Sequence, residues 1–307
     1  MIVHYGLEEP VDIGRSVVTT GTFDGVHIGH QVIISRINEL AREVDGESVL
    51  ITFHPHPRKV LYPDTLGKEI RMINTQREKI AMLETTGLDH LIIMPFTKEF
   101  AHTSSESFIR DILHKKLHIR KSVVGFNHFF GFNKEGNYNQ LAALGEELNF
   151  EVEEIPEQDI QNETVSSTKI RKAITEGNIQ RANAYLNHIL MMMGELSVND
   201  DHQLLPGDIN SWVVSAEEPE KLLPPSGIYA VRIRQGEQNL KAIGVRNDEI
   251  HGEGSMLIIP VEAGQPVTGR IATILFYKQL INGLQTRGNQ YAGQVRLAVE
   301  EADELIY

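Results

Sequence analysis

Apolar and polar positions follow a regular alternation of strand-like runs and helical patterns over roughly the first 186 residues. The runs are almost continuously apolar, which is typical of parallel strands buried on both faces. Between them, apolar residues recur at helical spacing. The pattern predicts a doubly wound α/β domain whose ligands bind beyond the carboxyl ends of the strands. The predicted strands are residues 17–20, 48–53, 90–96, 122–126 and 150–156, and the helical positions include Ile33, Ile37, Leu40, Ala41, Val44, Ile80, Leu83, Phe108 and Ile112.

After residue 186 the pattern changes to successive β-rich pieces separated by Gly, Pro, Asn and Asp turn signals. Such a series is typical of a small antiparallel barrel or sandwich. We therefore expect two domains, at residues 1–186 and 187–307. The predicted barrel strands are residues 211–216, 227–235, 239–247, 255–263 and 269–281, and a closing helix near 289–305 places Tyr291, Val295, Ala298, Ala302 and Leu305 on one stripe.

Composition and charge argue against several classes of function. The chain of 307 residues carries a formal charge of −13 and has no cysteine. The negative charge disfavours nonspecific nucleic-acid binding, and the absence of cysteine excludes disulfides and thiol nucleophiles. The first residues do not resemble a signal peptide, and the apolar runs are too short to span a bilayer. We expect a cytoplasmic protein without a nucleic-acid or membrane partner, and the sequence leaves its oligomeric state open.

The motif GTFDGVHIGH, residues 21–30, stands where the first predicted strand passes into a helix. Glycines let the backbone approach a ligand closely, and the N–H groups at the start of a helix attract anions. His27 and His30 can donate ring N–H groups to a phosphate as charge develops in a transition state. Alternatively, both histidines are exposed or cap the helix, and Asp24 only forms an Asx turn.

A second motif, VSSTKIRKAI at residues 165–174, has the features of a helix start. Either Ser166 or Ser167 can cap the helix. Lys169 and Arg171 lie in its first turn, where basic side chains oppose the helix dipole, so a phosphate between them would explain their placement. The alternative is an ordinary cap with solvated charges.

The HPHP sequence at residues 54–57 raises the possibility of a metal site. Together with His27 and His30, it could supply four imidazoles. Both prolines stiffen the turn, however, and no carboxylate stands at a spacing typical of zinc sites. The pattern disfavours a tight transition-metal site.

Four stretches together resemble the HxGH nucleotidyltransferases and, in particular, bacterial FAD synthetases. They keep the family's order and spacing across residues 21–183. The resemblance implies a Rossmann-like domain that transfers AMP from Mg-ATP to FMN, followed by a barrel of riboflavin-kinase type. The stretches are GTFDGVHIGH (21–30), FHPHPRKVL (53–61), VVGFNHFFGFNKEG (123–136) and VSSTKIRKAITEGNIQRAN (165–183).

The same resemblance implies roles for individual residues and substrates. ATP and FMN are the implied substrates, with Mg²⁺ bound to the ATP phosphates and no protein side chain assigned as a metal ligand. Arg58 is a candidate phosphate or flavin contact, with simple exposure as the alternative. The implied catalytic residues are His27, His30 and Arg171; the ATP contacts are Gly21, Thr22, Phe23, Asp24, Gly29, Ser167 and Thr168; and the flavin contacts are Phe53, His56, Pro57, Arg58 and Asn127.

The flavin segment GFNHFFG, residues 125–131, departs from the family at one position. The family has an Asp or Asn at the third position, which Asn127 matches, and an arginine at the fifth, where this chain has Phe129. Phe129 and Phe130 either stack on the isoalloxazine ring or pack in a core.

The C-terminal part departs from the family more strongly. Residues 221–233 and 242–246 resemble strands of the riboflavin kinase barrel. The family's Pro-Thr-Ala-Asn motif, which binds ATP and magnesium, occurs nowhere in the chain, and aligning the last long strand puts Asn282 or a neighbour at the position of the catalytic glutamate. Without these groups, the chain lacks the family's catalytic base and magnesium ligands for activating the ribityl hydroxyl. We expect a barrel without kinase activity.

Three other interpretations stay open. The chain is a flavin-binding regulatory protein without turnover, or it transfers nucleotides to another acceptor such as pantetheine, nicotinate or glycerol phosphates. Alternatively, it keeps both activities, with a kinase site rebuilt from Asp200, Asp201, Asp208 and Asn210.

Overall fold

The computed structural model describes residues 1–8, 13–126, 128–160, 163–199, 210–262, 264, 266–284, 293–295, 297–299 and 301. The chain forms two compact units. The first comprises residues 1–70 and 80–165, and the second comprises residues 71–79 and 166–307. The domain boundary expected between residues 186 and 187 stays a prediction.

The first unit is built on a six-stranded parallel sheet with the strand order β1-β4-β3-β2-β5-β6. The five predicted strands are all present. The sequence pattern does not predict β1, because this edge strand is half-exposed and has no continuous apolar run. The strands are β1 (Ile2–Tyr5), β2 (Ser16–Thr20), β3 (Glu47–His54), β4 (His90–Pro95), β5 (Ile119–Gly125) and β6 (Glu151–Ile155).

Helices connect these strands and cover the sheet. Helix α1 packs against β2, β3 and β5 and buries Ile34, Ile37 and Leu40. The helix predicted around Phe108 is π-helical over Phe108–Lys116. The other elements are α1 (Ile28–Glu43), α2 (Pro57–Leu61), α3 (Leu66–Glu69), α4 (Gln76–Leu83), α5 (Ser105–Ser107), α6 (Tyr138–Leu148), the 3₁₀ turns Glu84–Thr86, Phe100–His102 and Phe132–Lys134, and the small antiparallel pair β7 (Asp159–Ile160) and β8 (Glu163–Thr164).

The position of β2 determines where a ligand can bind in this unit. Strand β2 pairs with β3 on one side and with β5 on the other. Because all these strands are parallel, their carboxyl ends lie at the same edge of the sheet. The strand order reverses between β2 and β5, since β3 and β4 lie on one side of β2 and β5 and β6 lie on the other. Open α/β sheets bind their ligands in the crevice at such a switch point. The loops that follow β2, β3 and β5 are therefore the candidate site.

The second unit contains a closed six-stranded antiparallel barrel with the order β10-β13-β12-β11-β14-β9. The five predicted strands are present, and β9, which the sequence pattern does not predict, closes the barrel. The elements are α7 (Ser167–Thr175), α8 (Ile179–Leu186), β9 (Leu190–Val198), β10 (Trp212–Ala216), β11 (Gly227–Gln235), β12 (Gln238–Arg246), α9 (Asp248–His251), β13 (Ser255–Pro260) and β14 (Ile271–Asn282).

The predicted closing helix is described only in part. Residues 293–295, 297–299 and 301 are helical. Val295 and Ala298 are buried in the barrel's apolar cluster with Ile228 and Leu257, as the stripe predicts. Tyr291, Ala302 and Leu305 lie outside the described residues. Over the ranges that the structure describes, no helix is both long and apolar enough to cross a membrane.

Residues 71–79 are an integral part of the second unit. Met72 pairs with the segment before β11, because its N–H donates to Glu220 O at 2.7 Å and its carbonyl accepts from Leu222 N at 2.7 Å. Glu78 and Lys221 form a buried ion pair, with 2.5 Å between Oε2 and Nζ. A buried pair is tolerated only when the remaining polar atoms are satisfied as well.

The polar atoms of this ion pair meet that condition. Lys221 Nζ also donates to the carbonyls of Ile73 and Met191, each at 2.6 Å. The Glu78 carboxylate also accepts from Met193 N at 2.8 Å and from Thr75 N at 3.0 Å. The network therefore fastens residues 71–79 to the start of the barrel at β9.

Candidate active site

The loop between β2 and α1 is a tight backbone turn. Gly21 N continues the β2–β3 ladder by donating to Ile51 O at 3.0 Å, and Thr52 Oγ1 donates to Thr22 O at 3.1 Å. Phe23 and Val26 both adopt positive φ angles, at 45° and 39°. Such conformations cost free energy in residues with bulky side chains and are concentrated at functional sites. The turn joins the end of β2 at Thr20 to the start of α1 at Ile28.

His27 and His30 lie together at the start of α1. Their rings are stacked with centroids 3.6 Å apart, and Phe23 packs on His30 with its centroid at 4.5 Å. His27 occupies the N-cap position, but its side chain does not cap the helix, and only 8% of its surface is exposed. Neither the exposed nor the capping alternative therefore describes His27.

The first turn of α1 has the character of an anion site. Gly29 leaves room for the His27 ring, since a Cβ at residue 29 would lie 3.3 Å from Cε1 of that ring. The first turn contains no acidic residue. The first N–H groups of a helix have no acceptor within the helix, and the positive end of the α1 dipole lies at the same end as the two imidazoles. Asp24 is fully buried within the turn.

The end of β3 and the residues that follow it carry four of the predicted flavin contacts. The Phe53 ring lies in an aromatic cluster. Its centroid is 5.7 Å from that of Phe96 and 5.9 Å from that of Phe100. His56 is the N-cap of α2, and its Nδ1 accepts from Arg58 N at 3.1 Å, while Pro57 occupies the first helical position. The Arg58 side chain is exposed. These residues adjoin the β2 loop because β3 is the neighbour of β2.

The loop after β5 gives Phe129 and Phe130 different surroundings. Phe130 packs against the apolar core of the first unit, whereas Phe129 is 54% exposed. Phe130 therefore takes the core alternative, and stacking on an isoalloxazine ring stays a prediction for Phe129. His128 Nε2 lies 3.1 Å from Thr20 Oγ1, so this loop contacts the end of β2. Asn127 lies outside the described residues.

His128 gives the loop a distinctive response to pH. Burial lowers its pKa to about 4. The unfolded chain has an ordinary histidine pKa of about 6.5, so below that pH it binds a proton that the folded protein accepts only near pH 4. We expect the free energy of unfolding to fall as pH decreases through this interval, and an NMR titration to place the His128 midpoint near pH 4.

His128→Gln is the matched variant, because glutamine keeps a polar side chain but does not titrate. Its unfolding midpoint in urea, followed by circular dichroism, is expected to depend less on pH between 6.5 and 4 than that of the parent. Identical pH dependence in the two proteins contradicts the low pKa.

The third group of predicted residues lies on α7 in the second unit. Ser166, rather than Ser167, is the N-cap, since its Oγ accepts from Lys169 N at 3.4 Å. Ser167 and Thr168 occupy the first turn, and Thr168 is exposed. Arg171 Nε donates to the carbonyl of Arg71 at 2.9 Å. The structure thus places Ser167, Thr168 and Arg171 on one helix.

Side chains capable of metal binding do not converge in the described part of the chain. No group of three or more His, Asp or Glu residues has an arrangement that could hold a metal ion there. For the kinase alternative, Asp200, Asp201 and Asp208 lie outside the described residues, and Asn210 and Asn282 are exposed.

Sequence reasoning missed two residues near the candidate site. The first is His128, whose contact with Thr20 joins positions 108 residues apart. The second is Glu135, whose carboxylate accepts from Ser105 N at 2.8 Å. Only the position of both residues inside the family-like segment 123–136 could have drawn attention to them.

A parallel sheet with an HxGH turn between β2 and α1 defines a Rossmann-like protein of the nucleotidyltransferase class. Comparison with family models makes this more specific: residues 10–169, just over half of the chain, match the model described as FAD synthetase. The chain belongs to the FAD synthetase family.

Similar proteins agree with this assignment. A protein from Buchnera aphidicola is 32% identical over 233 residues, covering 76% of this chain and 72% of its own. One from Listeria monocytogenes is 31% identical over 234 residues with the same coverage. One from Bacillus subtilis is 30% identical over 223 residues, covering 71% and 67%. Each of the three is described as a bifunctional riboflavin kinase/FMN adenylyltransferase, which connects the family to FAD synthesis.

A solved structure supports the fold. The crystal structure of a protein from Streptococcus pneumoniae, described as a macrolide-efflux protein, superposes with a TM-score of 0.84 over 100% of both chains. The sequence identity is 21%, so this similarity shows the fold alone.

Proposed function

We propose that this protein is an FMN adenylyltransferase, which makes FAD and pyrophosphate from FMN and Mg-ATP. The observation that carries the proposal is the stacked pair of His27 and His30 at the start of α1, beside the switch point of the sheet. Ring N–H groups and the N–H end of a helix at one place suit a phosphate chain whose negative charge shifts during reaction.

The proposed reaction is a direct displacement. An oxygen of the FMN phosphate attacks the α-phosphorus of ATP and forms the new P–O bond. The bond between that phosphorus and the oxygen bridging to the β-phosphorus breaks, and pyrophosphate leaves with the electron pair. No covalent intermediate with the enzyme is required. Catalysis of such a transfer consists of positioning and charge stabilisation.

His27 and His30 are the proposed donors to the phosphate oxygens, supported by the N–H groups of α1. Phe23 holds the ring of His30 from the other side. Gly21, Thr22, Asp24 and Gly29 shape the turn that brings these groups together. For Ser167, Thr168 and Arg171, the proposed contacts with ATP phosphates rest on the family resemblance of their motif. Mg²⁺ enters as part of the substrate Mg-ATP and neutralises phosphate charge.

The acceptor is proposed to be a flavin because the loops after β3 and β5 carry aromatic and basic groups at the same edge. Phe53, His56, Pro57 and Arg58 provide one side, and Phe129 in the β5 loop provides the other. Asn127 is included on the family resemblance alone. The exposed Phe129 ring supports a stacking role, since its face can stack on another flat aromatic ring system. Isoalloxazine fits that description.

We also propose that the barrel lacks riboflavin kinase activity, because the Pro-Thr-Ala-Asn motif is absent from the sequence. A second candidate is the bifunctional enzyme, which the descriptions of the similar proteins favour.

We propose that the protein is located in the cytoplasm. A chain without cysteine needs no oxidising compartment for its folding.

The test is a chromatographic assay of purified protein with Mg-ATP and either FMN or riboflavin. The proposal predicts FAD from FMN and no product from riboflavin. FMN or FAD formed from riboflavin establishes the bifunctional candidate instead. If neither flavin is converted, the adenylyltransferase proposal is wrong.

A further inference from the structure

Residues 128–136, which belong to the loop after β5, make contacts with other segments of the first unit. Phe130 and Gly136 exchange two backbone hydrogen bonds of 3.1 and 2.9 Å, which close residues 130–136 into a small loop. Within it, Asn133 and Lys134 adopt positive φ angles of 50° and 58°. Such angles cost free energy in residues other than glycine, so the loop needs an anchor to stay in this form.

The anchor is the start of the helical segment at Ser105. Glu135 Oε1 accepts from Ser105 N at 2.8 Å and lies 3.2 Å from Ser105 Oγ. Phe132 N donates to Thr103 O at 2.9 Å. Two glycines permit this close approach: a Cβ at Gly131 would lie 2.6 Å from Ser105 N, and one at Gly136 would lie 2.7 Å from Ser105 Cβ.

The carboxylate of Glu135 also suits this location electrostatically. Ser105 is the first residue of α5, and Ser104 caps the same end by accepting from Ser107 N at 3.0 Å. The Ser105 N–H has no partner within its own helix, because the first N–H groups of a helix never do. A carboxylate at this end also interacts favourably with the helix dipole. Ser105 is only 1% exposed, so water replaces Glu135 poorly.

Residues 128–136 expose two aromatic side chains to solvent. Phe129 is 54% exposed and Phe132 is 37% exposed, and the Phe132 ring rests on His102 with centroids 5.1 Å apart. Phe130 points into the core, which fixes the direction of its neighbours. The contact of His128 with Thr20 ties the same loop to the end of β2.

We propose that Glu135 is a positioning residue for the flavin acceptor: its hydrogen bonds to Ser105 hold the loop at residues 128–136 in the form that receives the isoalloxazine ring. The inference rests on the proposed function for the identity of the acceptor. A loop ordered in advance spares a ligand the entropy cost of ordering it, so the effect falls on flavin affinity. The chemical step and ATP binding do not depend on it.

The experiment compares Glu135→Ala and Glu135→Gln with the parent enzyme. Glu135→Ala removes a hydrogen bond to a charged group, and we expect the KM for FMN to rise about tenfold. The kcat at saturating FMN and the KM for ATP are expected to stay unchanged. Glu135→Gln keeps an acceptor oxygen and is expected to lie between. Glu146→Ala, which removes an exposed glutamate of α6, is the matched control and is expected to behave as the parent.

Two results overturn the proposal. One is an unchanged KM for FMN in Glu135→Ala. The other is a parallel loss of FMN and ATP parameters together with a lower thermal midpoint, which indicates a general structural role. If the parent makes no FAD from FMN, the proposed function has failed, and direct titration with FMN decides. Binding about tenfold weaker in Glu135→Ala than in the parent then supports the role of Glu135, whereas equal binding, or no binding by the parent, overturns it.

Discussion

Replacing His30 with alanine is expected to lower kcat for FAD formation from FMN by about 10²- to 10³-fold. The His30 ring lies between Phe23 and His27, at the start of a helix whose first turn has no acidic group. Removing it deletes a preorganised donor from the place where phosphate charge shifts. The fold should survive, because the ring lies at the surface end of α1 and only partly in the core.

The measurement is steady-state FAD formation, with circular dichroism to check the fold. His114→Ala is the control, since this histidine lies on the π-helix and has no place in the proposed site. Its kcat is expected to equal that of the parent. If His30→Ala makes FAD as fast as the control, His30 has no catalytic role.

Replacing Lys221 with methionine is expected to lower the free energy of unfolding of the second unit by about 3–5 kcal/mol. The substitution leaves the buried Glu78 carboxylate without its cation and removes one donor from each of the carbonyls of Ile73 and Met191. An uncompensated buried charge is among the most costly defects of a folded protein. The effect should therefore far exceed that of removing a surface charge.

Trp212 provides the measurement, because it is the only tryptophan of the chain and is buried in the barrel on β10. Its fluorescence during urea denaturation reports unfolding of that unit. Lys172→Met is the control: Lys172 is 75% exposed, and its nearest ion pair, with Glu176, spans 3.8 Å. An exposed pair of this kind contributes less than about 1 kcal/mol. Equal urea midpoints for the two variants contradict the importance of the buried pair.

The strands that the sequence predicts are those whose burial leaves a clear signal. In the first unit, β3 and β4 are buried on both faces and form continuous apolar runs. The edge strand β1 leaves no such run and was not predictable in this way. The pairing of Glu78 with Lys221 joins positions 143 residues apart, and no local pattern contains that information.

The candidate site shows the same division. His27 and His30 are predictable because spacing within one motif places both at the start of a helix. The different surroundings of Phe129 and Phe130 were not predictable, since a loop has no periodicity to assign an inward and an outward side. The anchoring of this loop by Glu135 depends on the meeting of two segments 30 residues apart. Motifs therefore predict the centre of the candidate site, whereas the contacts that hold its edge depend on tertiary structure.

The most direct test of the proposed function is to follow the α-phosphorus of ATP during the reaction. Purified protein is incubated with FMN and ATP labelled with ³²P at the α-position, and the products are separated. Adenylyl transfer to FMN predicts that the label appears in FAD, with one unlabelled pyrophosphate released for each FAD formed. If FMN is present and the label stays in ATP, or is released as AMP without FAD, adenylyl transfer to FMN is not the function of this protein.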